Sequence, residues 1–290
     1  MLNRDIYNKP PKENRLVNNG VAEVSEDHSD AAQAILRYEL ESFVCDGQYE
    51  KGLETILDKF LLNLDAGTEQ PGVWISGFYG SGKSHLAKML RTLWTDYQFA
   101  DGATARSLAK LPTGVFEHLK ELSMQGRRHG TLHAAAGKLG AGAGDKVRLA
   151  LLGIVFKSKG LPEQYNQAQF VLWMTREGIL PTVEAELKSA GRSLAQGAGR
   201  TLVEELPHMY VSSHLAKALL QARPGLAHTE ADARKLLKEQ FPQVTDVTSE
   251  QMTTAIADAL SEDGKFPLTL VVLDEVQQFV GNDVEKAMQV

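Results

Sequence analysis

The chain is short of thiols, of surplus positive charge and of long apolar runs, and each shortage excludes something. Cys45 is its single cysteine. No intramolecular disulfide can form, so the fold is no disulfide scaffold, and a reducing cytoplasm is the expected compartment. The apolar neighbours Phe43 and Val44 mark Cys45 as a buried structural thiol and not a nucleophile. Acidic side chains outnumber basic ones, 37 to 31, for a formal net charge of −6. That balance argues against a surface devoted to nucleic acid and leaves room only for a local basic groove. No apolar run reaches the roughly 20 residues a membrane-spanning helix needs. Residues Met1–Pro11 are polar and lack the apolar core of a signal peptide. There is no fixed-period repeat and no low-complexity tract. What is there, 290 residues with 43% hydrophobic and 23% charged, is an ordinary globular composition, enough for one large or two ordinary domains.

The strongest local signal lies at 72–84, Gly-Val-Trp-Ile-Ser-Gly-Phe-Tyr-Gly-Ser-Gly-Lys-Ser. Gly77–Ser84 has the spacing G-x-x-x-x-G-K-S of a phosphate-binding loop. Val73, Trp74 and Ile75 predict the end of a strand. Gly77, Gly80 and Gly82 allow a tight turn whose N–H groups converge on a phosphate. Lys83 supplies a cation for the β- and γ-phosphates, and the Ser84 hydroxyl a ligand for Mg²⁺. Phe78, Tyr79 and Ser81 complete the loop. From His85 onward Leu86, Met89, Leu90 and Leu93 share one face at helical spacing, which predicts a helix whose positive end meets the phosphates.

A second β-run, Leu268–Glu275, ends in two carboxylates. At the carboxyl edge of a parallel sheet, where ligands of open α/β sheets bind, Asp274 would hold Mg²⁺ opposite Ser84. Glu275 would orient and deprotonate an attacking water. The pair favours a hydrolysing ATPase over a small-molecule kinase. An ATP preference accords with the lack of an Asn-Lys-x-Asp guanine-reading motif.

Elsewhere the patterning is mainly helical. Residues 1–29 are polar, with a short candidate strand at Val21–Val24. A helix is predicted over 30–45 with Asp30 as cap, and another from Asp46 or Gly47 to Ala66-Gly67. The latter carries the stripe Leu53, Ile56, Leu57, Phe60, Leu61 and Leu64. A short helix follows Pro112. His129 and His133 have a metal-pair spacing but no third ligand at suitable spacing. The glycine-rich stretch 137–144 is read as a connector, because no β-run is evident before it and a strand, not a helix, is expected after it. That strand is the apolar run 147–156, for which periodicity also allows a buried helix. Residues 162–260 read as helices punctuated by Pro162, Pro181, Pro207, Pro224 and Pro242. Arg192 and Arg200 lie in a glycine-containing stretch and are candidates to reach a phosphate, although solvated loop arginines are the commoner case.

These signals together predict an α/β P-loop NTPase core. Residues 1–71 form an N-terminal helical layer, 72–160 the first part of the core, 161–265 a large helical insertion and 266–290 the Walker B strand. ATPases with this acidic pair usually carry a further strand with a γ-phosphate sensor, then an arginine in cis or trans. The chain ends at Val290 before either, so weak hydrolysis by these residues alone is expected.

Asp5-Ile6-Tyr7 with Lys9-Pro10, the loop 72–85, Val147–Val155 and Leu161-Pro-Glu-Gln-Tyr-Asn-Gln-Ala-Gln-Phe-Val-Leu-Trp173 together resemble the large P-loop ATPase of bacterial BREX phage-exclusion systems. The resemblance spans most of the chain and is most specific at 147–173. It implies a cytoplasmic AAA+-like ATPase that uses ATP and Mg²⁺ beside a DNA methyltransferase and a phosphatase-like protein, with any DNA engagement indirect and with homo-oligomers among its assemblies. Family members run well beyond this length. By the same resemblance, Gly77, Gly82, Lys83 and Ser84 carry the phosphates, Asp274 the magnesium and Glu275 the catalytic water. Two alternatives stand beside this: a non-hydrolysing nucleotide-binding scaffold, and a DNA-stimulated ATPase that touches DNA directly.

Overall fold

The computed structural model describes residues 29–67, 72–139, 146–192 and 201–281. The candidate strand at Val21–Val24 and Arg200 lie outside them. The chain is α/β and mostly helical, and it forms two compact units. The first is discontinuous in sequence: its described part takes in 29–67, 72–137 and 268–274, with most of the second unit between. Among the described residues no helix is long and apolar enough to cross a membrane.

In the first unit, α1 (Asp30–Glu41) starts from Ser29, whose side chain accepts from the Ala32 N–H, so the cap falls one residue before the predicted Asp30. The next helix, α2 (Gly47–Ala66), buries Leu53, Leu57 and Leu61 as its stripe predicts, and Gly67 ends it. After the loop come α3 (Lys83–Thr95), the short α4 (Ala105–Leu108) and α5 (Thr113–His129). Two parallel strands, β1 (Leu132–Lys138) and β2 (Leu268–Asp274), form the sheet. Parallel neighbours require a long crossover, and here the crossover contains nearly all of the second unit.

The core of the first unit gathers Leu53, Leu57, Met89, Leu93, Trp94, Leu119 and Leu122. Trp94 is its largest fully buried side chain and packs edge-on against Phe60, with 4.7 Å between ring centroids. The indole N–H of Trp94 donates to the Leu268 carbonyl at 3.2 Å, which satisfies its one polar group. Arg106 ties three helices together. Its guanidinium donates to the carbonyls of Leu93 (2.7 Å), Trp94 (2.9 Å) and Leu119 (2.8 Å) and to the Ser123 hydroxyl (2.6 Å). Burial pulls its pKa below the usual arginine value. The cation closes the carbonyl end of α3, where a helix dipole favours positive charge.

The second unit is helical: α6 (Val147–Ser158), α7 (Tyr165–Arg176), α8 (Leu180–Arg192), α9 (Leu202–Glu205), a 3-10 turn at Leu206–His208, α10 (Ser213–Ala222), α11 (Glu230–Gln240), α12 (Ser249–Leu260) and the short α13 (Val276–Val280). Arg192 closes α8. The prolines sit where helices permit them: Pro181 is the second residue of α8 and Pro207 lies in the 3-10 turn. One core joins Phe170, Met174, Val183, Leu187, Leu215 and Leu219, and another joins Leu152, Phe156, Val247, Ala255 and Ala259.

The structure makes two corrections here. The expected strand at 147–156 is α6, a helix of 12 residues. Leu149, Leu152 and Phe156 face one cluster, while Val147 and Ala150 face another with Leu139 and Phe279. A segment buried on two sides is apolar all round and hides its period. A methyl on Gly153 would lie 3.2 Å from the Glu163 carbonyl, so the helix lies close to a neighbouring backbone. Secondly, the glycine-rich stretch 137–144 has β1 before it and α6 after it, the reverse of the expected order. Residues 140–145 lie outside the described set. β1 escapes detection because Leu-His-Ala-Ala-Ala-Gly-Lys contains no β-branched residue.

Candidate functional site

The loop begins without the strand expected at Val73–Ile75: residues 72–78 carry no regular secondary structure. A strand needs a neighbour for its N–H and C=O groups, and among the described residues β1 and β2 pair only with each other. Val73 and Trp74 stay exposed.

The turn itself is built as its glycines predict. The Ser81 N–H donates to the Phe78 carbonyl at 3.1 Å. Gly80 and Gly82 adopt φ of +78° and +83°, a left-handed backbone that costs a side-chain-bearing residue roughly 1–2 kcal/mol. At Gly77 a methyl would meet the Ser81 Oγ at 2.7 Å. Phe78 and Tyr79 stand at the tip, 91% and 97% exposed. The Lys83 ammonium curls back and donates to the Phe78 carbonyl at 3.0 Å, so the cation is held over the loop. From there α3 starts at Gly82 with no side-chain cap. Its first-turn N–H groups and the positive end of its dipole are therefore not closed by a side chain.

Side chains of the N-terminal layer brace this loop. The Tyr49 hydroxyl, from α2, donates to the Ser81 carbonyl at 3.0 Å. The Tyr49 ring stands edge-on to Phe43 at 6.2 Å, and Phe43 lies 5.7 Å from the His85 ring. Burial lowers the His85 pKa below its usual value, so His85 is neutral at pH 7 and adds no charge to the site. One turn further along α3, Lys88 ion-pairs with Glu39 at 2.6 Å. Cys45, near the same layer, is buried, and desolvation pushes its thiol up to about 11, an inert structural thiol as expected.

Two contacts fix how α3 runs along the sheet. Near its C-terminus Trp94 meets Leu268 at the start of β2. Near its N-terminus Ala87 packs with Ala136, Leu270 and Val272. The helix is thus antiparallel to β2, and its first turn, Lys83 and Ser84, lies toward the end of β2 that carries Asp274.

Glu275 follows Asp274 but belongs to the second unit, where it precedes α13. Its φ is +59°, an uncommon conformation for a residue with a side chain. Its carboxylate lies 3.7 Å from the Lys138 ammonium at the end of β1. Tyr49 and Lys138 are the two residues that sequence reading missed. Tyr49 carried a usable signal: a phenol four residues before Leu53, on the apolar stripe of α2, needs a partner for its hydroxyl. Lys138 carried none, because the strand that presents it was not recognisable. No family model matches the chain, and no solved structure matches it significantly.

Proposed function

We propose that Gly77, Phe78, Tyr79, Gly80, Ser81, Gly82, Lys83, Ser84 and His85 form the binding site for the phosphates of ATP, with Mg²⁺ held by Ser84 and Asp274. The observation that supports this best is the alignment of α3. A helix without a side-chain cap, entered through a glycine turn and carrying Lys83 and Ser84 in its first turn, runs antiparallel to β2 and toward Asp274. Backbone N–H groups and an ammonium suit a triphosphate, and a hydroxyl with a carboxylate suits a divalent cation. In this reading Glu275 is the base that orients the attacking water. In a P-loop core of the AAA+ kind, the chain would serve as an ATPase subunit of a BREX-type phage-defence system, with a DNA methyltransferase and a phosphatase-like protein as partners.

Binding of a fluorescent ATP analogue with and without Mg²⁺ tests the site. Lys83→Ala should weaken binding at least 100-fold. Ser84→Ala and Asp274→Ala should remove the Mg²⁺ dependence with a smaller loss. Unchanged binding by Lys83→Ala would refute the assignment. A second reading, a scaffold that binds nucleotide without hydrolysing it, is favoured by the Lys138–Glu275 ion pair, which engages the carboxylate that would otherwise orient a water. If hydrolysis matters, Glu275→Gln should trap bound nucleotide and abolish phage defence. If only binding matters, Glu275→Gln should be silent and Lys83→Ala harmful.

A further inference from the structure

We infer that Tyr49 is a positioning residue for the phosphate loop, setting the direction of the Gly82 N–H; the inference rests on the phosphate-loop reading. The argument is one of peptide geometry. In a trans peptide the C=O and the following N–H point in opposite directions. The Tyr49 hydroxyl donates to the Ser81 carbonyl at 3.0 Å, so it draws that carbonyl toward α2. The N–H on the far side of the same plane belongs to Gly82 and is turned away from α2. An anion cradle needs its N–H groups aimed inward and its carbonyls outward, and a flexible glycine turn does not hold that state unaided.

The same contact defines why position 82 is glycine. A Cβ there would lie 1.9 Å from the Tyr49 Oη and 3.2 Å from its Cζ, on a backbone already at φ +83°. Tyr49 fills the space a side chain would take and converts it into a hydrogen bond. The phenol is itself held from behind, edge-on, by Phe43. The loop geometry is thus set by a residue of the helix that precedes it, well outside the phosphate-loop motif.

The test compares Tyr49→Phe with wild type and Lys83→Ala, using a fluorescent ATP analogue and, as a base-free probe, inorganic tripolyphosphate. Loss of one oriented hydrogen bond predicts roughly a 3- to 10-fold weaker affinity in Tyr49→Phe. The factor should be equal for ATP and tripolyphosphate, because only the phosphate cradle is affected. Amide hydrogen exchange without ligand should rise across 77–86 and stay unchanged across the buried turn Met89–Trp94. Wild-type affinity in Tyr49→Phe, with Lys83→Ala inactive, overturns the inference while sparing the phosphate loop. Exchange rising equally across Met89–Trp94 would also overturn it, by making Tyr49 a core residue. Wild-type binding by Lys83→Ala removes the phosphate-loop reading and this inference together.

Discussion

The helix of the first unit that enters from the glycine turn differs from three helices of the second unit in how it begins. Helices α10, α11 and α12 are capped by Ser212, Thr229 and Thr248, whose side chains accept from the N–H groups of Leu215, Asp232 and Gln251. At α12 the capping box is complete, with the Thr248 N–H donating to the Gln251 side-chain oxygen at 2.8 Å. In α3 the cap position is Gly82, and no side chain closes the turn. An uncapped start alone is not peculiar to α3, since α2, α5, α6 and α7 also begin without a side-chain cap; what sets α3 apart is the glycine turn that delivers Lys83 and Ser84 to its first turn. At its other end α3 is closed by a side chain, Arg106, which donates to the carbonyls of Leu93 and Trp94.

That contrast can be broken at its strongest point by Arg106→Met. Losing four donor contacts in a buried setting should cost the first unit about 3 kcal/mol. Hydrogen exchange should show α3 and α5 losing protection while α10–α12 keep theirs, and equal loss in both units would mean that the second unit leans on this anchor. A smaller effect sharpens the contrast from the other side. Thr248→Ala removes a working cap and should cost about 1 kcal/mol, read as faster exchange in the first turn of α12 with nucleotide binding unchanged. The smallest effect concerns His85. Its folded pKa lies below the unfolded value, chiefly through burial, so its neutral form contributes stability that is present above about pH 6.5 and is lost as pH falls below that value toward the folded pKa. The melting temperature should therefore drop on acidification from pH 7 to 5.5, with a shallower drop in His85→Gln. An identical pH profile in the variant would show that His85 is not the group responsible.

The turn at 77–84 was legible because glycine is chemically singular: left-handed backbone at positions 80 and 82 follows from residue type alone. So was α2, whose stripe repeats without interruption, and so was the burial of Cys45. The apolar run at 147–156 was ambiguous for a physical reason: a segment covered on two sides shows neither the period of 2 nor that of 3.6. β1 was invisible because alanines serve wherever a neighbour approaches closely, and only the neighbour reveals that need. The strand expected at Val73–Ile75 failed because β-propensity needs a partner strand, and propensity does not supply one.

By itself the sequence determined the glycine turn, the ammonium and hydroxyl that follow it, the carboxylates at 274 and 275, and the helical character of most of the chain. These depend on local sterics and residue chemistry, which travel with the residues. Tertiary structure alone decided that α3 runs antiparallel to β2, that Tyr49 seizes the Ser81 carbonyl and that Lys138 faces Glu275. Each of these joins groups far apart in the chain, and such pairings arise only when burial forces separate segments to share one core.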